Sequence, residues 1–177
     1  MRIIAGSLSG RQFEAPKGHR THPMSEKARG GLFNILGDIG GLTILDAFAG
    51  SGALGFEAIS RGAKHVTAVD VDKNAINTLK DSAEGLGITQ QIKAIRANAS
   101  GWSDNNSETT FDIVLSAPPY DDLQLQLVQK LTKHVKPGGL YVLDWPGNLK
   151  VPELTNMKLL KNKQYGDAQL AFYRRIS

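Results

Sequence analysis

The sequence predicts an α/β fold: a mostly parallel sheet with helices on both faces. Two observations lead to this prediction. From residue 42 onward, short apolar runs of strand length alternate with segments whose apolar residues recur at helical spacing. The first apolar run also leads into a glycine-rich turn, Gly50-Ser51-Gly52, which precedes a helical segment. Strands that alternate with helices in this way pair in parallel through right-handed crossovers.

An N-terminal extension precedes this alternation. Residues 2–5 and 11–15 predict a short β-hairpin, which a loop rich in proline, glycine and histidine follows. Ser25 is placed to cap a helix over residues 26–36, because the apolar residues of that segment share one helical face.

The core elements follow in chain order. The predicted strands cover residues 43–45, 65–69, 91–96, 111–115, 140–143, 158–163 and 169–175. The predicted helices cover residues 52–61, 73–83 and 123–135. The polar stretch 100–110 predicts a surface loop. These elements together predict a seven-stranded sheet.

Length and composition suit one α/β domain over residues 1–177, with an extension over 1–36 and a core over 42–177. Cysteine is absent, which excludes disulfides and thiolate metal ligands. No apolar run reaches the length of a membrane span, and the first 20 residues lack a signal-peptide core. We therefore expect a cytoplasmic protein with no membrane partner. His19 and His22 have no carboxylate partner placed beside them, so we also expect no metal site.

The positive charge is concentrated near the N-terminus. Residues 1–31 carry six basic and two acidic side chains, which accounts for the whole net charge of +4. Such a distribution is typical of a segment that contacts phosphates on an otherwise neutral protein. A solvated basic surface would have the same composition.

The glycine turn and a later aspartate indicate a cofactor with a nucleoside. Gly50 and Gly52 lack side chains where backbone approaches a ligand, and Asp70 has the spacing of a carboxylate that binds ribose hydroxyls. The pattern Gly50-x-Gly52-x-x-Gly55 also matches the dinucleotide motif, which leaves a nicotinamide-dependent oxidoreductase as an alternative. Asp46 argues against that alternative, because its carboxylate would repel a pyrophosphate and attract an amino acid's ammonium group. Asp46 could also be a buried hydrogen-bond hub for the glycine loop.

A second motif, Pro118-Pro119-Tyr120, follows the fourth strand. With the first strand, the glycine turn and Asp70, it completes the ordered parts of an S-adenosylmethionine methyltransferase that acts on an exocyclic amino nitrogen. Over nearly its full length the chain resembles the RsmD-type 16S ribosomal RNA guanine-N2 methyltransferases. The matching segments are residues 1–6, Gly10-Arg11, 23–36, 46–55, 118–120 and Tyr165-Gly166-Asp167. The opening segment and Leu32-Phe33-Asn34 are much more specific to this family than the glycine motif is.

The resemblance implies a Rossmann-like class I methyltransferase fold whose last two strands are antiparallel. It implies transfer of a methyl group from S-adenosylmethionine to a guanine N2 in small-subunit ribosomal RNA, on the subunit or an assembly intermediate, and we expect a monomer. The implied cofactor-binding residues are Asp46, Phe48, Ala49, Gly50, Ser51, Gly52, Asp70, Val71, Asn98 and Ala99. The implied catalytic residues, which hold the flipped base, are Ala117, Pro118, Pro119 and Tyr120. The residues expected to contact RNA are Arg11, Lys17, Arg20, His22, Lys27 and Arg29.

Three positions depart from the family pattern. The residue before Pro118 is usually Asp or Asn, whose side-chain oxygen accepts a hydrogen bond from the target amine, but here it is Ala117. Losing such an acceptor costs about 2–4 kcal/mol of transition-state stabilisation. Asn98 stands in place of an Asp near the adenine, and His22 in place of an Arg before Pro23. A catalytically impaired family member that binds S-adenosylmethionine or RNA is therefore an alternative.

Overall fold

The computed structural model describes residues 1–17 and 23–177, which form seven strands and five α-helices. The helices are α1 (Glu26–Leu36), α2 (Ala53–Ser60), α3 (Lys73–Leu86), α4 (Ala99–Asn105) and α5 (Leu125–Leu131). The strands are β1 (Thr43–Asp46), β2 (His65–Asp70), β3 (Ile92–Arg96), β4 (Phe111–Ser116), β5 (Val135–Pro146), β6 (Met157–Tyr165) and β7 (Ala168–Arg175). These strands form a seven-stranded, mostly parallel sheet, which confirms the predicted fold class.

The chain divides into two compact units, Met1–Asn98 and Ala99–Ser177. The strand order is β3-β2-β1 in the first unit and β4-β5-β7-β6 in the second. The assignment of residues 1–177 to a single domain stays a prediction.

The parallel strands of the first unit bring two aspartates to one edge of the sheet. Asp46, the last residue of β1, pairs with Ala68, and Asp70, the last residue of β2, pairs with Arg96. All residues of α2 are buried, and a Cβ added at Gly55 would lie 3.0 Å from Ile92 Cδ1 on β3 and 3.2 Å from Val66 Cγ1 on β2. Glycine at this position therefore lets α2 pack closely on β3 and on β2, the strand that carries Asp70.

The N-terminal segment of the first unit only partly matches its prediction. The expected hairpin is reduced to one antiparallel bridge between Arg2 and Gln12, flanked by a hydrogen bond from the Ile3 N–H to the Arg11 carbonyl of 2.9 Å. Helix α1 is confirmed with its predicted bounds. The Ser25 hydroxyl accepts the Ala28 N–H at 3.1 Å, which is an ordinary N-cap.

In the second unit β4 and β5 are parallel, and β7 pairs antiparallel with both β5 and β6. The predicted antiparallel closing strands are thereby confirmed. Helix α5 starts later than predicted, because Gln124 has a φ of 50° and a helix cannot extend back through that conformation, and it ends earlier, at Leu131. After a 3₁₀ turn, β5 begins at Val135, five positions before its predicted start.

The predicted surface loop over residues 100–110 is wrong at its start, where helix α4 forms instead. Its sequence is poor in helix-forming residues, but Trp102 is buried against the rings of Phe111 and His134, at 6.2 and 4.9 Å between ring centres. The Ser103 hydroxyl also lies 2.8 Å from His134 Nε2. Tertiary packing of one large aromatic side chain overrides the local preference.

No helix among the described residues is long and apolar enough to cross a membrane. Within residues 1–17 and 23–177, His, Asp and Glu side chains form no group of three that could hold a metal ion. The expected lack of metal and membrane partners stays a prediction.

Candidate active site

The loop between β1 and α2 is held against the end of β2. The Ala49 N–H donates to the Val69 carbonyl at 2.9 Å, and the Gly50 N–H donates to Asp70 Oδ2 at 2.8 Å. Gly50 and Gly52 have φ values of 54° and 86°, which are in the left-handed region that glycine tolerates. The fold thus fixes the loop's backbone in a conformation that larger residues rarely adopt.

Gly52 is required for packing as well as for its backbone conformation. A Cβ added there would lie 2.8 Å from Phe56 Cζ and 2.9 Å from Leu79 Cγ. From the sequence, Gly52 is expected to let the backbone approach a ligand. In the structure, the side chains of Phe56 and Leu79 also leave no room for a larger residue there.

Asp70 is the group that connects the glycine loop to the start of α3. Its Oδ2 accepts the Gly50 N–H, and its Oδ1 accepts the Asp72 N–H at 2.9 Å. Each carboxylate oxygen can accept a further hydrogen bond. Two backbone N–H donors orient the carboxylate without using all of its capacity, which is the arrangement needed to bind a pair of hydroxyls.

Asp46 is fully buried, and neither of its carboxylate oxygens has a hydrogen-bond partner among the described residues. Burial raises its pKa to about 7, and the nearby Asp70 adds to this effect, while the Phe48 backbone N–H opposes it. The loop is held to the end of β2 by hydrogen bonds to the Val69 carbonyl and the Asp70 carboxylate, so a role for Asp46 as a hydrogen-bond hub stays a prediction. A carboxylate left without a partner in the interior is suited to pair with a ligand cation.

The other predicted cofactor residues of the first unit lie around the same edge of the sheet. Ser51 is buried in the loop, and its hydroxyl accepts the Ala53 N–H at 3.3 Å. Val71 exposes 66% of its surface immediately after β2, although it is apolar. Asn98 is exposed and lies two residues after the end of β3. The preceding residue, Ala97, donates its N–H to the Asp70 carbonyl at 3.0 Å, which keeps this segment beside the end of β2. Ala99, the first residue of α4, is buried in the second unit.

The Pro118-Pro119-Tyr120 motif begins two residues after the end of β4. Pro118 is buried, Ala117 is half-buried, and Pro119 is exposed. The Pro119 carbonyl accepts the Asp122 N–H at 3.0 Å, which closes a tight turn. Tyr120 is 44% exposed, so part of an aromatic residue is accessible beside a rigid turn.

The Tyr120 hydroxyl is fixed by β5. It donates to Asp144 Oδ1 at 2.5 Å and lies 3.2 Å from the Trp145 carbonyl. Burial and this hydrogen bond raise the pKa of Tyr120 above its ordinary value. The pKa of Asp144 is also raised, mainly by burial, with the Tyr120 hydrogen bond opposing. Asp144 was not predicted as a site residue, and no sequence motif connects it to Tyr120.

The predicted RNA-contacting residues fall into three groups. Arg11, Lys17 and Lys27 are exposed, and Arg11 also donates to the Gly85 carbonyl at 3.0 Å. Arg20 and His22 lie outside the described residues. The prediction that Arg29 contacts RNA is wrong, because its side chain is only 1% exposed and cannot reach a phosphate at the surface.

Arg29 instead belongs to a buried ion-pair network around Glu57. Arg29 Nε lies 3.5 Å and Arg61 Nε 2.9 Å from the Glu57 carboxylate, which is itself fully buried. The same carboxylate accepts the Ile4 and Ala5 N–H groups at 2.9 and 3.0 Å. Glu57 thus ties the N-terminal segment to α2. The four-residue spacing of Glu57 and Arg61 could have indicated part of this network, but its long-range members could not be inferred.

Comparison with known proteins gives matches over the whole chain. The family model described as "Conserved hypothetical protein 95" matches residues 1–174. Ribosomal RNA small subunit methyltransferase D of Haemophilus influenzae is 31% identical over 180 residues, which cover 98% of this chain and 93% of that protein. YlbH of Bacillus subtilis is 32% identical over 182 residues, which cover 99% of each.

The solved structure of yhhF from Escherichia coli has a TM-score of 0.88 at 29% identity, over 99% of this chain and 98% of that one. Two independent kinds of similarity, in sequence and in fold, therefore extend over nearly all residues. The chain belongs to the conserved hypothetical protein 95 family, the RsmD-type methyltransferases, and has their class I methyltransferase fold.

Proposed function

We propose that the protein transfers a methyl group from S-adenosylmethionine to the exocyclic N2 of a guanine in small-subunit ribosomal RNA. The relative from Haemophilus influenzae supports the broad reaction, since its name is that of a ribosomal RNA small subunit methyltransferase. The choice of an exocyclic amine rests on the Pro118-Pro119-Tyr120 motif. The observation that supports the cofactor most directly is the buried carboxylate of Asp46, which has no partner among the described residues.

The residues around the glycine loop fit the groups of S-adenosylmethionine. Asp46 would pair with the ammonium group of the methionine part, which would offset the cost of burying an unpaired carboxylate. Asp70 would accept the two ribose hydroxyls with the lone pairs that its backbone donors leave unused. The exposed Val71 offers an apolar surface to the adenine, and Asn98 offers it an amide. When bound, the cofactor supplies a methyl group on a positively charged sulfur.

Holding the base is the proposed role of the turn after β4. The Pro118 carbonyl would accept one N–H of the guanine amine, and the Tyr120 ring would stack on the flipped base. A ring whose hydroxyl is already hydrogen-bonded to β5 loses little freedom when a base stacks on it. Acceptors for the amine also stabilise the positive charge that develops on nitrogen as it attacks the methyl carbon.

Exposed cations of the N-terminal segment would contact RNA phosphates. We retain Arg11, Lys17 and Lys27, which are exposed, together with Arg20 and His22. Arg29 is left out because it is buried and paired with Glu57. Such contacts orient the RNA without reading its sequence.

Methyl transfer from labelled S-adenosylmethionine tests the proposal. The acceptors are small-subunit particles and naked 16S RNA that lack modifications, with 23S RNA as a control acceptor. We expect label in the small-subunit RNA at one guanine and none in the control. The Ala117→Asp variant is measured alongside, because it restores the side-chain acceptor that the family motif normally carries.

The outcomes separate the proposal from its alternative. Cofactor binding by the chain as given, with transfer only by Ala117→Asp, would identify a family member disabled at this position. Transfer by neither protein to any small-subunit acceptor would contradict the proposed substrate.

A further inference from the structure

We propose that the Asp144 carboxylate supplies the second hydrogen-bond acceptor for the guanine amine that Ala117 cannot provide. This inference rests on the proposed function and concerns how the altered motif can still hold its substrate. It assigns a catalytic role to a residue on β5, outside the Pro-Pro-Tyr motif.

The pairing of β4 with β5 puts the two positions side by side. The parallel register ends with Ser116 opposite Leu143. Ala117 and Asp144 are the residues that directly follow this pair, one after β4 and one within β5, and neighbouring strands lie about 4.8 Å apart. The acceptor missing from the end of β4 is therefore matched by a carboxylate at the adjoining position of the neighbouring strand.

The contact with Tyr120 shows independently that this carboxylate reaches the motif. Asp144 Oδ1 accepts the Tyr120 hydroxyl at 2.5 Å. Since Tyr120 follows Ala117 by only three residues, the carboxylate contacts the last residue of the motif. In the part of the chain that the structure describes, only this oxygen of Asp144 is hydrogen-bonded, which leaves Oδ2 available to a ligand.

Holding Tyr120 does not by itself require a carboxylate. The Trp145 carbonyl already lies 3.2 Å from the same hydroxyl, so the tyrosine has a neutral acceptor in the backbone. A half-buried carboxylate costs more to desolvate than a neutral side chain of similar size. The Asp144 carboxylate is therefore better explained by a ligand group that becomes positively charged during the reaction than by its contact with Tyr120 alone.

With this carboxylate in place, both N–H groups of the guanine amine have an acceptor and the proton that leaves has a base. One N–H of the guanine amine is bound by the Pro118 carbonyl and the other by Asp144 Oδ2. The N2 lone pair then forms a bond to the methyl carbon, and the carbon–sulfur bond breaks with its electron pair remaining on sulfur. The nitrogen loses one proton along its hydrogen bond to Asp144, which passes it to solvent.

Four variants test the assignment by single-turnover methyl transfer at saturating cofactor. They are Asp144→Ala, Asp144→Ala with Ala117→Asp, Tyr120→Phe, and the exposed surface control Asp104→Asn. We expect Asp144→Ala to lower the transfer rate about a hundredfold. The second substitution, Ala117→Asp, should restore most of this loss, because it returns a carboxylate to the adjoining strand. Tyr120→Phe should cost about threefold, since it keeps the ring, and Asp104→Asn should have no effect.

A pH profile gives a readout that a structural role would not change. Burial raises the pKa of Asp144, and only its ionised form can accept the amine proton. The rate of the wild-type protein should therefore rise with pH through that raised pKa, and Asp144→Asn should abolish this limb of the profile. Thermal unfolding and cofactor titration of each variant show that its fold and cofactor site are intact.

Two results would overturn the inference. Equal losses in Asp144→Ala and Tyr120→Phe, with no rescue by Ala117→Asp, would mean that Asp144 only holds the tyrosine. An unchanged rate in Asp144→Ala would exclude any role in transfer. Failure of the proposed function is distinct from both: the wild-type protein and Ala117→Asp would then bind cofactor and transfer nothing.

Discussion

The glycine loop and the Pro-Pro-Tyr turn differ in how fully each is equipped for its proposed ligand. At the loop, Asp46 and Asp70 provide two carboxylates, one without a partner and one oriented by backbone donors. At the turn, the usual side-chain acceptor is replaced by Ala117, and a carboxylate on another strand, that of Asp144, accepts the Tyr120 hydroxyl.

This difference separates cofactor binding from methyl transfer. Substitutions at the loop should change cofactor affinity, and substitutions at the turn should change the transfer rate at saturating cofactor. A family member with an altered turn is therefore expected to keep an ordinary cofactor site.

Glu57→Gln should have the largest effect, on the free energy of unfolding. The substitution leaves Arg29 buried without its ion-pair partner and weakens the hydrogen bonds to Ile4 and Ala5. Breaking a buried ion pair typically costs about 3–5 kcal/mol. Denaturant unfolding measures this loss, with the exposed Glu84→Gln on α3 as the control. Equal stability of the two variants would show that the network does not hold the N-terminal segment on α2.

Asp70→Asn should weaken cofactor binding by about tenfold to a hundredfold. An amide has one acceptor oxygen, so its NH₂ group must face either the Gly50 or the Asp72 N–H, and the ribose loses a charged acceptor. Calorimetric titration with S-adenosylmethionine measures the affinity, and the exposed Asp81→Asn provides the control. Unchanged affinity would remove Asp70 from the cofactor site.

Asp46 should make both stability and cofactor affinity depend on pH. Because its pKa is raised from 3.8 to about 7 in the folded protein, its contribution to stability is present below the unfolded value and is lost as the pH rises toward about 7. The ionised form pairs with an ammonium group, so cofactor affinity should rise by about tenfold between pH 6 and pH 8. Asp46→Asn should remove both dependences.

Unfolding of the cofactor-free protein at pH 5 and pH 8 and titration of the cofactor at the same two values check this prediction. An Asp46→Asn variant that is less stable than wild type at pH 8 would contradict the assignment of an unpaired carboxylate.

Lys17→Ala and Lys27→Ala should each weaken RNA binding by about threefold. Each should also reduce the slope of the logarithm of the binding constant against the logarithm of the salt concentration by about 1, which corresponds to one counterion fewer released. Both side chains are exposed, and their loss should change affinity for any RNA sequence alike. Filter binding to 16S RNA fragments over a range of salt concentrations measures the slope. The matched control is Lys64→Ala, an exposed lysine outside the N-terminal segment. An equal effect in the control would indicate only nonspecific attraction.

The features predicted correctly are those with local causes. The alternation of apolar runs predicted where the strands lie along the chain, and Ser25 predicted the start of α1. The positions of the glycine loop after β1 and of Asp70 at the end of β2 were predicted correctly, because their spacing follows from the βαβ unit itself. Helix α4 was missed because Trp102, rather than the helix-forming tendency of its neighbours, stabilises it.

The features that were missed or wrong depend on contacts between distant positions. Arg29 was expected at the surface because a cation in a basic segment is usually exposed, and nothing local indicates that Glu57, 28 positions later, holds it inside. The pairing of Tyr120 with Asp144 depends on the register of β4 and β5, which the sequence alone does not provide. Asp46 was correctly expected to be buried, but its lack of a hydrogen-bond partner required coordinates.

The identity of the modified nucleoside shows whether a guanine amine is the methyl acceptor. After reaction of the wild-type protein with unmodified small-subunit particles, the RNA is digested to nucleosides and separated by liquid chromatography with mass detection. We predict that N2-methylguanosine appears in an amount that approaches one per particle and depends on S-adenosylmethionine. A methyl group on another atom or another base would contradict the assignment of the Pro-Pro-Tyr turn, Pro118 and Asp144 to a guanine amine.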